Sequence, residues 1–309
     1  MRVDSGDFVL PVDKPAGPTS HDIVSLARKA LDTRRVGHTG TLDPFASGLL
    51  VLCVGRATRL AEYLTGLDKT YRAEARLGVE TDTLDHEGDV VAEDEGWSGL
   101  SEADIRQALA SLVGSLQQIP PQYSAKKVEG EAMHRKARRG ERVELPAASV
   151  TVHAIELEAV ELPRIRFTVR CSSGTYVRAL ARDLGRRLEV GAHLTGLRRT
   201  RVGDLGLQQA ISVESLDDER AVAEARLAAL TALGHLASVT VDAAAARRIV
   251  HGQRVRLASA EELAADSRDA AGDPSRTDAH PVAVAHAGEL LAVGEVHDGV
   301  LRPRKVFPA

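Results

Sequence analysis

An aspartate placed directly before a proline opens the chemical question in this chain. Asp43 and Pro44 lie inside VGHTGTLDPFASGLLVLCVG, residues 36–55. Proline at 44 disfavours helical backbone angles at 43, so the carboxylate sits in an extended or turn conformation. On its own the pair describes a turn device, an Asx turn or an N-cap with proline in the first helical position. The surroundings ask for more. Gly37, Gly40 and Gly48 let the backbone approach a neighbour closely, and His38 and Thr41 add polar groups beside the acid.

Other chemistries lack their residues. The chain has no G-x-x-x-x-G-K-[ST] and no G-x-G-x-x-G, which removes two nucleotide-binding loops. It has no G-x-S-x-G elbow for a serine nucleophile. TDTLDHEGD (81–89) is acidic, but with Gly88 as a sixth loop position the first would be Thr83 and the twelfth Asp94, so it reads as a turn and not as a calcium loop. The eleven histidines lack close ligand spacing, so no metal site is expected. Cys53 and Cys171 lie in strand-like apolar surroundings and read as buried thiols of a reducing, cytoplasmic compartment.

The elements that must position such a carboxylate follow from periodicity. Residues 8–15 predict a strand, 18–31 a helix with Ser20 as N-cap, and 48–55 a fully buried strand. A helix is expected over 56–64, an alternating strand over 69–78, and an amphipathic helix over 101–116 with Ser101 as N-cap. Residues 118–146 combine a proline pair with a basic segment and read as an excursion from the core. Residues 150–173 predict a two-stranded hairpin, 174–191 a helix, and 192–207 a strand with turns. Residues 212–233 are acidic and alanine-rich, which predicts helix, and 238–309 alternate in short units typical of a small β module interrupted by a low-order insert at 260–280. The N-terminus shows no signal-peptide pattern, and the longest apolar run, LLVLCV, is too short to span a bilayer.

With 309 residues, 43% hydrophobic and 27% charged, the chain has material for one large domain or two. Its formal charge of −4 hides an uneven distribution. Residues 164–201 carry ten arginines against Asp183 and Glu189, a net of +8, and residues 126–142 a net of +4. Residues 211–300 carry a net of −7. Two basic stretches in an acidic protein predict a localised surface for a polyanion, the alternative being solvated element faces. The preference for arginine over lysine favours phosphate contact.

Six ordered stretches resemble one family, the TruB-type tRNA pseudouridine synthases. RRVGHTGTLDPFASGLLVLCVGRATR (34–59) resembles the family signature around its aspartate. DKPAGPTSHD (13–22), KTYRAEARLGVETDTLDHEGDV (69–90), QIPPQYSAKKVEGEAMHRKARRG (118–140), CSSGTYVRALARDLG (171–185) and GAHLTGLRRTRVG (191–203) resemble the other motifs in order. The resemblance implies an α+β pseudouridine synthase fold with a mainly antiparallel mixed sheet and flanking helices. It also implies a catalytic domain over 1–237 with an RNA-clasping insertion at about 120–146, and a PUA-type RNA-binding module over 238–309. The implied activity is a stand-alone, cofactor-free isomerisation of uridine to pseudouridine at position 55 of the tRNA T-loop. The implied partner is the T-arm stem-loop of tRNA, met by a monomer without guide RNA and without a membrane. A role mainly in assisting RNA folding, and a guide-dependent relative, are the alternatives.

By the same resemblance Asp43 is the catalytic carboxylate, Arg178 its charged partner, and Tyr71 the residue that stacks on a flipped uracil and handles the C5 proton. His38 corresponds to the histidine placed near the space left by the flipped base, and Leu197 to an apolar wall of the site. Tyr176, Tyr123, Lys126 and Lys127 are implied RNA contacts, and Lys14 a support that also counts as a substrate contact. The chain departs from the family at Lys126, where the motif usually has leucine. Each residue taken singly also fits a plain structural role, Tyr71 and Leu197 as packed side chains, Arg178 as a helix-surface arginine, and His38 as a turn histidine.

Overall fold

The computed structural model describes residues 6–122, 127–128, 131–132, 146–257 and 280–308. The run SGLLVLCV forms a strand, β3 (Ser47–Val54), with every residue after Ser47 buried. A strand covered on both faces reads as a continuous apolar run, which is why alternation is missing here. It pairs antiparallel with β1 (Phe8–Lys14) and with the short β2 (Val36–His38). On its other side it pairs parallel with β12 (Ala192–Val202), through Arg198↔Ser47 and Arg199↔Gly48.

From β12 the sheet continues through β4 (Lys69–Leu77), β11 (Arg164–Cys171), β10 (Ala148–Glu161) and β7 (Gly114–Gln118). At the other end β14 (Ile211–Ser212) lies beside β1. β13 (Leu205–Gly206) and β15 (Leu227–Ala228) complete eleven strands. All pairs are antiparallel except β1 with β14 and β3 with β12. The sheet is therefore mixed and mainly antiparallel, as expected.

β4 alternates, with Lys69, Tyr71, Ala73, Ala75 and Leu77 on its covered face. That face packs against α3 (Glu102–Ala110) and α4 (Val177–Arg187) through Ile105, Leu109, Val177, Leu180 and Leu184. Helix α1 (Ser20–Ala30) packs on the opposite end of the sheet through Ile23, Val24 and Ala27.

Several boundaries differ from expectation, each for a local reason. Thr19, not Ser20, caps α1, in a reciprocal box with Asp22. Ser20 is instead buried and exchanges two hydrogen bonds with the main chain of Leu42. Ser101 caps α3 as expected, but the helix stops at Ala110 and Gly114, at φ +113°, starts the edge strand β7. The segment expected as a helix over 56–64 begins as a 3-10 turn, Gly55–Leu60, before α2 (Ala61–Thr65). The alanine-rich stretch is broken into α5 (Glu219–Ala225) and α6 (Ala229–Ala232), because β15 between them pairs with β1.

A second, five-stranded sheet starts at Ala237. Its order is β16 (Ala237–Thr240), β18 (Pro281–His286), β19 (Glu289–His297), β20 (Val300–Val306) and β17 (Val255–Arg256), with α7 (Ala243–Val250) against it. Ala283, Leu290, Val293 and Phe307 of this module share one apolar cluster with Val9, Leu49, Leu60 and Leu64. Reciprocal hydrogen bonds fasten the junction: Lys305 Nζ donates to Arg59 O (2.6 Å) and Arg59 Nη1 donates to Val306 O (2.8 Å). Most of the basic excursion and of the 260–280 insert lies outside the described residues. A two-residue hairpin of β8 (Lys127–Val128) and β9 (Glu131–Ala132) is described within the former.

Candidate active site

The turn that carries Asp43 is held by side chains from three distant elements. Lys14, at the end of β1, is fully buried and donates to Pro15 O (2.8 Å), Pro44 O (3.3 Å) and Ala46 O (2.7 Å). Ser20 of α1 fixes Leu42 from below. Arg199 of β12 donates through Nε to Leu49 O (2.7 Å) and through Nη2 to Gly40 O (3.0 Å). Burial lowers Lys14 to about 8, so the ammonium is kept at a cost that these carbonyls and the nearby Asp43 charge offset.

Asp43 itself faces Arg178, the second residue of α4. Arg178 Nε lies 3.0 Å from Asp43 Oδ2, and Nη2 donates to Oδ1 at 3.1 Å, a two-point pairing that fixes the carboxylate plane. The far side of the guanidinium is spent on a second acid. Nη1 meets Asp85 Oδ2 at 3.1 Å and Thr83 O at 2.9 Å. The side chains of Arg178 and Asp85 are both 5% exposed, whereas that of Asp43 is 34% exposed. Asp85 is anchored in turn by the Thr83 hydroxyl (2.7 Å) and the Glu87 N–H (3.1 Å). The acidic loop 81–89 is thus a turn whose carboxylate props the arginine.

Burial pushes the Asp43 carboxyl above its usual range, and Asp85 adds to the push; Arg178 opposes both.

A cleft of about 470 Å³ opens over this pair. Its walls include Asp43, Tyr71, Tyr176, Arg178, Leu197 and Arg199, with the Ser172–Thr175 loop along the rim. β-bulges on either side of Gly196–Arg199 in β12 aim Leu197 and Arg199 into it. Five of the expected residues, Asp43, Tyr71, Arg178, Tyr176 and Leu197, therefore meet around one cavity. Lys14 stands behind the turn with its N–H groups committed to carbonyls. His38 ends β2 one loop away, its Nδ1 3.3 Å from the Gly40 N–H. Tyr123, Lys126 and the Lys127 side chain lie outside the described residues.

Four residues of the site were not singled out from sequence. Asp85 and Arg199 lie inside motif stretches 69–90 and 191–203, where a carboxylate and an arginine looked like turn and surface charges. Gln118 is buried and clamps Tyr176, its Oε1 accepting from Tyr176 N–H (2.8 Å) and its Nε2 donating to Tyr176 O (3.1 Å). Lys69 lines the cleft, donating to Thr65 O and Leu67 O at 2.5 and 2.6 Å, and burial lowers it to about 8.

The basic stretch 164–201 is partly neutralised by ion pairs. Arg166 meets Glu161, Arg182 meets Asp183, and Arg198 meets Asp13 at 2.6, 2.8 and 2.6 Å. Cys53 and Cys171 are buried and unbonded to each other, and burial pushes their thiols up to about 12 and about 11. No helix among the described residues is long and apolar enough to cross a membrane.

Residues 28–177 match the model of the TruB family pseudouridylate synthase N-terminal domain, and residues 178–237 that of the tRNA pseudouridylate synthase B C-terminal domain. The chain is 45% identical over 306 residues to a tRNA pseudouridine synthase B of Burkholderia mallei (strain NCTC 10247), covering 97% of this chain and 96% of that one. The chain belongs to the TruB family of pseudouridylate synthases. A TruB-family relative from Symbiobacterium thermophilum, also a tRNA pseudouridine synthase B, is 48% identical over 250 residues, 80% of this chain and 82% of its own. Among solved structures, an H/ACA RNP bound to a substrate RNA containing 2'-deoxyuridine matches with a TM-score of 0.73 at 26% identity. That match covers 98% of this chain and 85% of the other. The two family regions meet between Val177 and Arg178, so this TruB-family site draws Asp43 and Tyr71 from the first and Arg178, Leu197 and Arg199 from the second.

Proposed function

We propose that this TruB-family isomerase converts uridine to pseudouridine at position 55 of the tRNA T-loop, acting as a stand-alone monomer without cofactor or guide RNA. The observation that carries the reading is the two-point Arg178–Asp43 pair at the floor of a cleft walled by Tyr71 and Leu197. Relatives over nearly the whole length of the chain are tRNA pseudouridine synthases, which supports tRNA as the substrate.

The reaction opens N1–C1′, turns the uracil, and closes C5–C1′; one proton leaves C5 and one is gained at N1. No electron or group is left over, so the side chains suffice. The target base leaves its stack, at about a few kcal/mol, and enters the cleft. A volume of about 470 Å³ is within the usual size of a small-ligand site. Asp43, kept charged by Arg178, engages the ribose or the base and assists cleavage. Tyr71 stacks on the ring, and its oxygen, as the phenolate, takes the C5 proton. Leu197 closes the apolar wall, Tyr176 lines the RNA side, and His38 faces the space vacated by the base. Lys14 serves by fixing the Asp43 turn. The excursion at about 120–146, with Tyr123, Lys126 and Lys127, clasps the stem-loop, and the small sheet from Ala237 is a PUA-type RNA-binding module beside a catalytic domain over 1–237. The two buried free thiols fit a cytoplasmic enzyme.

The test is incubation of the purified protein alone with an unmodified T-arm stem-loop. Pseudouridine forms at position 55 with the parent protein, and Asp43→Asn abolishes conversion while retaining binding. Full activity of Asp43→Asn, or conversion only with added guide RNA, overturns the reading.

A further inference from the structure

Arg199 lines the cleft with every guanidinium nitrogen committed, and nothing in the mechanism above uses it. It is buried, yet its guanidinium has a partner on every side. Nε is bound to Leu49 O (2.7 Å), Nη2 to Gly40 O (3.0 Å), and Nη1 approaches Thr41 O at 3.5 Å. Its positive charge also favours the ionised form of the Tyr71 hydroxyl beside it. Register explains how one side chain reaches both. Arg199 is the cross-strand partner of Tyr71 in β4, so the two side chains share a face, and it is the parallel partner of Gly48 in β3, just past the Asp43 turn.

The chain has made room for this. A methyl on Gly48 would lie 2.7 Å from Arg199 N, closer than side-chain carbons come. The bulge that follows Arg199 in β12 separates it from Arg201, so the register delivering it is specific to this strand segment.

We propose that Arg199 is a positioning residue for the removal of the C5 proton: it sets its guanidinium beside Tyr71 on the shared strand face and ties both sides of the Asp43 turn into one rigid register. The inference rests on the reading of Tyr71 as the acceptor of that proton. Burial works against charge on Tyr71, and so does the Asp43 carboxylate; Arg199 is the cation that counters them. A planar guanidinium with five donors reaches the Gly40, Thr41 and Leu49 carbonyls together while standing beside Tyr71. Lysine, a point charge on a flexible stem, keeps the cation but loses that geometry.

The test uses the full chain and a T-arm stem-loop with the target uridine deuterated at C5. In the parent protein deuteration is expected to leave kcat unchanged, as it does when the C5 step follows the slow step. Arg199→Met is expected to lower kcat by about 10²-fold, in the range of a lost acid–base contribution, to leave stem-loop affinity within about twofold, and to make turnover sensitive to deuterium. Arg199→Lys is expected to recover part of the rate with a smaller isotope effect. If Arg199→Met fails to bind the stem-loop, Arg199→Lys carries the test by the same isotope readout. Loss of rate with no isotope effect in either variant, or an unchanged rate, overturns the proposal. Tyr71→Phe separates the two levels. Full turnover in Tyr71→Phe removes the Tyr71 reading itself, whereas its loss together with isotope-insensitive Arg199 variants removes only the role of Arg199.

Discussion

Arg178 and Asp85 form an ion pair from which water is excluded on both sides, Nη1 to Oδ2 at 3.1 Å with each side chain 5% exposed. The pair sets the arginine before substrate arrives, and the remaining edge of the guanidinium is presented to Asp43. Preorganised charge of this kind costs nothing at the moment of reaction.

Asp85→Ala removes the anchor while leaving the cleft wall in place. Breaking a buried pair from one side costs about 3 kcal/mol or more, so the urea midpoint falls. Turnover falls with it, because Arg178 is no longer held against Asp43, while stem-loop affinity changes little. Urea unfolding and single-turnover kinetics on the same preparation check both outcomes; wild-type stability would refute the structural role of the pair.

Asp43→Asn behaves oppositely in stability. Burial raises the Asp43 pKa in the folded state above 3.8, so the ionised acid is a burden on the fold at neutral pH. The stability contributed by its proton is complete below pH 3.8 and is lost as pH rises through the folded value. Asn carries no such charge, so the variant is more stable than the parent at pH 7 and the difference closes below pH 3.8. Thermal melts across that range decide it. In the parent, activity falls as pH drops through the raised folded value, and Arg178→Met moves that fall to higher pH, since Arg178 opposes the upward shift.

Lys14→Met separates support from substrate contact. The ammonium touches three carbonyls, two of them those of Pro44 and Ala46 in the Asp43 turn. Charged hydrogen bonds of this type contribute about 1.5–3 kcal/mol each. Turnover is expected to fall at least tenfold with stem-loop affinity within about twofold; a large loss of affinity at full turnover would assign Lys14 to RNA contact instead.

Gly48→Ala tests the close passage of β3 and β12. Gly48 has φ +102°, and an added methyl would sit 2.7 Å from Arg199 N and 3.0 Å from Arg199 C. Backbone strain of this kind costs about 1–3 kcal/mol. The melting temperature drops and turnover drops further than stability alone explains, because Arg199 and Gly48 move together. A variant with parental melting and kinetics would contradict the packing described.

Much of the fold was legible because its signals are local. The buried run of β3, the alternation of β4 and the capping box at Ser101 are written in neighbouring residues. The residues missed from the site, Asp85, Gln118, Lys69 and Arg199, draw their meaning from partners far along the chain. Asp85 is a turn acid until Arg178 is brought to it across 93 residues, and Gln118 is a strand-end amide until Tyr176 meets it across 58. The charge count over 164–201 overstated the free cation surface for the same reason, since Glu161 and Asp13 meet Arg166 and Arg198 only in the folded sheet. The helix expected over 212–233 yielded to a strand pairing that alanine content does not encode.

The Asp43 turn depends on Lys14 and Ser20, which precede it, and on Arg199, which follows it by 156 residues of sequence. Its hydrogen bonds to Arg199 span 158 and 159 positions. On a ribosome, the first half of the chain emerges with the carboxylate made but its turn unfastened on one side. The active centre is therefore completed only when the last third of the protein is being translated, and a chain cut short before β12 carries every acid of the site without the clamp that arranges it.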